Sequence, residues 1–350
     1  MPEKEIIKIL SLSTIAFALA FALTPIWTNI LYKYKLGKSI RDDGQTPIFS
    51  QLHKIKSGTP TMGGVLIWLT VMLLAALFFL VAFIWPDSLL AHLNFVTRRE
   101  TYLPLAALLA SALIGLLDDW FNIRRQGGGK GGGLTVKHRL LMYTLVALVG
   151  AWWFYFKLDW EVVRIPFVGL WHMGWWFIPF LIFVLVATAF SVNETDGLDG
   201  LVGGVMLAAF AAYGTIAFVQ GNYNLTAFCG AISGALLAFL WFNINPARFF
   251  MGDTGAMSLG ISLGIVAMLT GYPLLLILIA FVPLVESLSV IIQILSKKIR
   301  KKKVFLSAPI HHHFEAKGWP ETKVVMRFWI ISAVFAVAGL ILAIIDLRLW

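Results

Sequence analysis

The chain has 350 residues, 59% of them hydrophobic and only 13% charged, with a formal net charge of +10. Its mean hydropathy is +0.83, and the charged share is about half that of a soluble domain. These values exclude a soluble α/β enzyme with buried strands, whose apolar runs span roughly 4–8 residues, because here many runs reach the ~20 residues that cross a hydrocarbon core. The lone cysteine, Cys229, sits in an apolar run. It can form no internal disulfide and reads as a packed core residue.

The first apolar stretch covers about residues 8–31, after Lys4 and Lys8 and before Lys33, Lys35 and Lys38. It is too long for the apolar region of a cleaved signal and reads as a retained span. Further spans are predicted near residues 62–85, 102–117, 140–156, 175–190, 201–219, 225–242, 255–271, 274–295 and 328–346. With about ten spans the loops fall into two sets. The set 32–61, 118–139, 191–200, 243–254 and 296–327 holds 21 of the 28 Lys and Arg. The positive-inside rule places that set in the cytoplasm and both termini outside. On the outer side, segment 157–174 is rich in aromatics and Gly and reads as an interfacial element. The expectation is an all-α, polytopic integral membrane protein, residues 1–350 forming one membrane domain with its site on the cytoplasmic face.

The polar chemistry collects in those basic loops. Lys56 precedes Gly58–Gly64, GTPTMGG, which opens the second span and suits close packing or phosphate contact. Asp118 and Asp119 end the third span, where the helix dipole disfavours acids. A carboxylate pair there suits Mg²⁺ or a base with its neighbour. Gly127–Gly133, GGGKGGG, lacks the Ser/Thr and the preceding strand of a Walker loop and reads as a linker around Lys130. Asn193–Gly200, NETDGLDG, packs Glu194, Asp196 and Asp199 into eight residues. Asp196 and Asp199 share a face if that segment is helical, and Gly197 and Gly200 let a ligand approach the backbone. Asn243 and Asn245 close the seventh span.

Phe249–Gly255, FFMGDTG, opens the eighth span and puts Asp253 and Thr254 where a helix cap belongs. A helix start is also an anion site, and Phe250 either packs or stacks a base. Glu286, ionisable within the ninth span, is a functional candidate by position. Six of the seven residues Lys297–Lys303 are basic, which reads as a topogenic, lipid-facing patch. Pro309–Glu321 contains His311, His312 and His313. A zinc site is one reading, but adjacent histidines on a regular element cannot all face one ion. Phosphate recognition or acid–base work is the favoured reading. Acids, amides, lysines and histidines on one membrane face suit Mg²⁺-assisted phosphoryl transfer to a lipid acceptor.

At these residues the chain resembles the phospho-N-acetylmuramoyl-pentapeptide transferases, end to end. GTPTMGG, the acid pair, TDGLDGL, FMGDTG, VESLSVIIQ at Val285–Gln293, and PIHHHFE followed by GWPETKVV occur in order. The histidine motif points to the muramoyl branch. The resemblance implies transfer of phospho-MurNAc-pentapeptide from UDP-MurNAc-pentapeptide to undecaprenyl phosphate, giving lipid I and UMP, with Mg²⁺ as cofactor. It implies a bacterial inner-membrane location and a homodimer, and no nucleic-acid partner is expected. By resemblance Asp253 is the metal ligand, Asp118 and Asp119 activate the lipid phosphate or organise the centre, and Asp196 is a site acid. Gly197, Leu198, Asp199, Asn243 and Phe250 match the nucleoside pocket. Lys56 and Lys137 match site lysines, while Asn193 and His311 to His313 match polar groups near the diphosphate. Glu286 is assigned to substrate binding. The chain departs from the family pattern at Phe190, where an asparagine is usual, and at Glu194, where a leucine is usual. The rivals are a GlcNAc-1-phosphate transferase on the same scaffold and a membrane transporter, whose polar residues should lie near mid-membrane.

Overall fold

The computed structural model describes residues 2–37, 56, 58–128 and 132–349. Lys38, in the first basic segment, and Gly129, Lys130 and Gly131 of the Gly-rich linker lie outside the described residues. The helices are α1 (Pro2–Lys33), α2 (Val65–Ile84), α3 (Tyr102–Ile123), α4 (Val136–Lys157), α5 (Phe177–Thr195), α6 (Leu201–Val219), α7 (Tyr223–Asn243) and α8 (Gly252–Leu269). They continue as α9 (Leu276–Ile279), α10 (Phe281–Ile299), α11 (Ile310–Ala316) and α12 (Glu321–Leu349). Among the described residues nine helices are long and apolar enough to cross a membrane, or ten if one bent pair counts as a span. The chain is thus an all-α, multi-pass membrane protein.

The bent pair is the expected ninth span. Pro273–Ile279 and Phe281–Ile299 meet at 86°. Pro283 accounts for the break: its ring would clash with the carbonyl of Ile279, yet it fits the first turn of a new helix. The interfacial segment becomes a hairpin, with β1 (Val162–Ile165) antiparallel to β2 (Gly169–His172). Trp171, Trp175 and Trp176 in and after it are exposed.

The hub is α8, every residue of which is buried. It packs chiefly along α3 and α5, while α1 pairs with α7, and α6 lies between α7 and α12. Small residues permit this. A Cβ on Gly255 would come within 2.8 Å of the Gly64 Cα. Peripheral helices show the opposite pattern, with 17% of the best apolar window buried in α1 and 28% in α12. Their apolar side chains face outward, as lipid-facing helices require.

Several helices outrun the apolar runs that predict them. The third span, expected to end near 117, continues to Ile123, the fifth to Thr195, and the fourth starts at Val136. Hydropathy stops at the first polar residues, but the helical backbone continues because those polar side chains turn inward. Asp118, Asp119, Arg139 and Asn193 are therefore carried on helices.

Candidate active site

The site is built around the start of α8. A helix start leaves backbone N–H groups without partners and carries partial positive charge. Here neighbouring carboxylates meet them. Asp119 Oδ1 accepts from Asp253 N and its Oδ2 from Thr254 N, both at 3.1 Å. Asp196 Oδ2 accepts from Gly252 N at 3.1 Å. Asp119 also takes a 3.3 Å bond from Thr61 Oγ1. Thus α8 is capped from other elements, and the cap residue is Met251 rather than Asp253 or Thr254. Gly252 is required: it has φ +76°, and a Cβ there would lie 2.5 Å from Asp119 Oδ2.

The two acids of the pair consequently do different jobs. Asp119 holds the helix, whereas Asp118 turns to α4. Asp118 Oδ1 accepts from Leu134 N at 2.6 Å, and its Oδ2 pairs with Arg139 Nε at 2.5 Å. Arg139 then reaches Asp253 Oδ2 with Nη2 at 3.1 Å. Asp253 Oδ1 accepts from Asn193 Nδ2 at 2.6 Å. Asp118 and Asp253 are therefore bridged by a guanidinium. Lys137, one of the expected site lysines, is exposed, and it is Arg139 that reaches the acids.

Asp196 and Asp199 do not share a helical face, because the segment between α5 and α6 is a turn. Their carboxylates diverge, Asp196 to α8 and Asp199 to a second cluster. There Lys56 Nζ donates to Asp199 Oδ1 at 2.6 Å and to Glu321 Oε1 at 2.5 Å. Asp199 N donates to Glu321 Oε1 at 2.7 Å, and Asn245 Nδ2 to Asp199 Oδ2 at 3.0 Å. Asn243 bridges two loops, accepting from Gly200 N at 3.0 Å and donating to Phe249 O at 2.7 Å. Phe250 is tied to the GTPTMGG segment by Phe250 N to Pro60 O and Gly63 N to Phe250 O, both 2.8 Å. Its half-buried ring lies 6.0 Å from Lys56 Nζ. Leu198 is buried beneath this loop against Leu201, Val324 and Phe328.

The histidines lie on α11, and their Nδ1 atoms face three partners. His311 Nδ1 pairs with Glu286 Oε2 at 2.9 Å, and His312 Nδ1 with Glu315 Oε2 at 2.6 Å. His313 Nδ1 accepts from Leu306 N at 3.1 Å. Glu286 begins a buried polar stripe on α10, continued by Ser289, Gln293 and Ser296 at helical spacing. Gln293 Oε1 accepts from Val304 N and Phe305 N at 2.9 and 3.0 Å, which folds the basic segment back towards the histidines. His311 Nε2 is buried without a partner among the described residues and faces Gly197, where a Cβ would overlap it. Burial alone would push the His311 imidazole down, but the adjacent Glu286 carboxylate overrides it, so the group is raised above its ordinary range. Burial and Lys317 lower His313.

Among the described residues no three of His, Cys, Asp and Glu form a ready-made metal cage. Mg²⁺ does not need one, since it uses one or two carboxylates together with substrate phosphates and waters. The donors present suit it: Asp253 and Asp118 are hard oxygen ligands that already hold a positive group between them. An anionic diphosphate entering among four carboxylates needs added positive charge.

Sequence reasoning missed Arg139 and Glu321 and gave Asn245 no role. An arginine in the first turn of a helix is an ordinary surface residue in sequence, and only the approach of α3 and α8 gives it two acids. Glu321 had a usable signal, as an acid closing the histidine motif.

The profile described as Glycosyl transferase family 4 matches residues 101–271. The one described as phospho-N-acetylmuramoyl-pentapeptide-transferase signature 1 matches residues 56–67, the Lys56 and GTPTMGG segment. A phospho-N-acetylmuramoyl-pentapeptide-transferase of Chloroflexus aggregans is 39% identical, the match covering 98% of this chain and 91% of the relative. Those of Clostridium novyi and Listeria welshimeri are 38% and 40% identical, covering 93% and 94% of this chain and 94% and 97% of their own lengths. With such identity over nearly the whole length, the chain belongs to the phospho-N-acetylmuramoyl-pentapeptide transferase family.

Proposed function

We propose that the protein transfers phospho-MurNAc-pentapeptide from UDP-MurNAc-pentapeptide to undecaprenyl phosphate, producing lipid I and UMP in the first membrane step of peptidoglycan synthesis. An oxygen of the lipid phosphate becomes bonded to the sugar-bound phosphorus. The bond from that phosphorus to the bridging oxygen breaks, and UMP leaves with the bridging oxygen. The carrying observation is that Asp118 and Asp253 meet across Arg139 at the start of α8, beside the Gly197–Asp199 loop and the His311 ring. Phosphoryl transfer needs little covalent chemistry from the protein and much positioning and charge neutralisation.

In this reading Phe250 offers its ring to uracil, and the Lys56–Asp199–Glu321 cluster holds the loop beneath it. Asp253, with Asp118, would hold Mg²⁺, which neutralises charge on the phosphates when bound. Arg139 and the Nε2 side of His311 present positive groups to phosphoryl oxygens. Glu286 keeps His311 oriented and charged. Asp119 and Asp196 fix the start of α8, so Asp253 does not move when a substrate arrives. The 21-to-7 division of Lys and Arg supports a cytoplasmic site with both termini outside, in the bacterial inner membrane. The homodimer implied by the resemblance belongs to the same proposal, and crosslinking in native membranes tests it.

The deciding assay supplies purified protein in lipid nanodiscs with polyprenyl phosphate, Mg²⁺ and radiolabelled UDP-MurNAc-pentapeptide. Labelled lipid product is expected, and it should disappear with EDTA and return with Mg²⁺. Product from UDP-GlcNAc alone would overturn the muramoyl assignment. Solute flux without any lipid product would overturn the transferase reading.

A further inference from the structure

Tyr143, Tyr213 and Tyr272 are the tyrosines among the largest fully buried side chains. Two have partners for their hydroxyls. Tyr213 donates to Tyr272 O at 3.0 Å, and Tyr272 donates to Asp346 Oδ2 at 2.6 Å. The Tyr143 hydroxyl is buried with no hydrogen-bond partner among the described residues. Leaving such a group unpaired is destabilising, and phenylalanine would fill nearly the same volume without that penalty. Tyr143 follows Arg139 by four residues and so lies on the same face of α4. Asp253, Arg139, Asp118 and Glu194 all act on its hydroxyl electrostatically. The nearby acids are already engaged: both oxygens of Asp118 and of Asp253 accept bonds from Leu134, Arg139 and Asn193. Among the described residues, none supplies the hydroxyl with a partner.

We propose that the Tyr143 hydroxyl donates a hydrogen bond to a phosphoryl oxygen of the bound substrates, beside Arg139, as a further substrate-contacting residue. The inference rests on the transferase reading above. A neutral phenol suits the place, since it donates to an anion without adding charge to a site crowded with carboxylates. The phosphoryl oxygen belongs either to the lipid phosphate or to the diphosphate of the nucleotide substrate, and kinetics separates the two.

The test is Tyr143→Phe in the full-length protein in nanodiscs, with both substrates varied and thermal unfolding followed in parallel. The unfolding midpoint should stay level or rise, because a buried unpaired hydroxyl has been removed. Activity should fall about 10- to 100-fold, the scale set by loss of one preorganised donor. A raised KM for polyprenyl phosphate assigns the contact to the acceptor. A raised KM for UDP-MurNAc-pentapeptide assigns it to the nucleotide substrate, and a fall in kcat alone assigns it to the transition state. Kinetics within about twofold of wild type would overturn the proposal, as would lost activity with a lowered unfolding midpoint, which makes the hydroxyl a packing element. Absence of lipid product from the wild type itself would instead overturn the transferase reading on which the inference stands.

Discussion

The two ends of α12 offer a comparison. Near its end, Asp346 is fully buried and completely satisfied. Its Oδ1 accepts from Phe167 N at 2.6 Å, and its Oδ2 from Tyr272 at 2.6 Å and Arg164 at 3.2 Å. This cluster pins the β1–β2 hairpin to the helix bundle. At the start of α12, ~38 Å away along the helix at ~1.5 Å per residue, Glu321 joins the cluster that adjoins α8 and α11. There His311 Nε2, Glu286 Oε1 and the Tyr143 hydroxyl are buried without partners among the described residues. Both ends bury charge. The Asp346 cluster pairs both carboxylate oxygens, whereas the cluster beside α8 leaves these buried polar atoms open, each of which calls for an explanation. The unpaired atoms, more than burial or charge, distinguish the two.

The contrast breaks first at Asp253. Asp253→Asn keeps the volume and leaves Arg139 paired with Asp118, so the unfolding midpoint should change little. Turnover in the lipid-product assay should fall by about 10³-fold or more, since the proposed Mg²⁺ ligand would be lost together with the transition-state charge stabilisation it would support. Retained turnover at low Mg²⁺ would remove Asp253 from the centre.

At the other end the expectation inverts. Asp346→Ala strands Arg164 and the Tyr272 hydroxyl and should cost about 3 kcal/mol of stability, the scale of a broken buried pair. Activity per folded molecule should be unchanged. Thermal unfolding of detergent-solubilised protein measures the first, and kcat normalised to folded protein the second. A stable variant with reduced kcat would show that the two ends are coupled.

Phe250 sharpens the comparison inside the site. Its backbone is fixed by Pro60 and Gly63, so truncating the ring should not move the loop. Phe250→Ala should raise the KM for the nucleotide substrate by the equivalent of ~1–3 kcal/mol, as for other base-stacking rings. The KM for polyprenyl phosphate should stay constant. The reverse pattern would put the ring on the lipid side.

The spans were legible because a bilayer imposes one length on every apolar run, and the motifs because their residues are adjacent in sequence. What the sequence hid is where polar side chains at helix ends meet. Asp118 and Asp119 look equivalent in LIGLLDDW, yet successive residues on a helix point about 100° apart, so one caps α8 and the other meets Arg139. Asp253 looked like a cap because it stands at a helix start, and no local pattern reveals that Asp119 supplies the cap from another helix. Pro283 did carry a sign of the broken ninth span, but the continuous apolar run concealed it. Tyr143 reads as one more membrane aromatic until its hydroxyl is seen to lack a partner among the described residues.

The smallest effect expected is at His311, and it is carried by pH. The Glu286 carboxylate at 2.9 Å holds the imidazole above its ordinary range despite complete burial. A histidine whose folded value is raised above its unfolded value of about 6.5 stabilises the protein fully at lower pH and loses that contribution as pH rises through the folded value. The charged form also presents Nε2–H towards Gly197, where a phosphoryl oxygen would benefit. Turnover should therefore show an alkaline limb set above about 6.5. His311→Gln should keep an N–H donor but lose the titration. It should lower kcat by about tenfold and flatten that limb, since a neutral donor replaces a charge-assisted one. Glu286→Gln should move the limb to lower pH, because removing the carboxylate takes away the main opposition to burial and leaves only Glu315 and Glu194 to raise the imidazole. A limb that stays in place in Glu286→Gln would show that His311 is not the titrating group, and the open Nε2 atom would then have to be explained by packing.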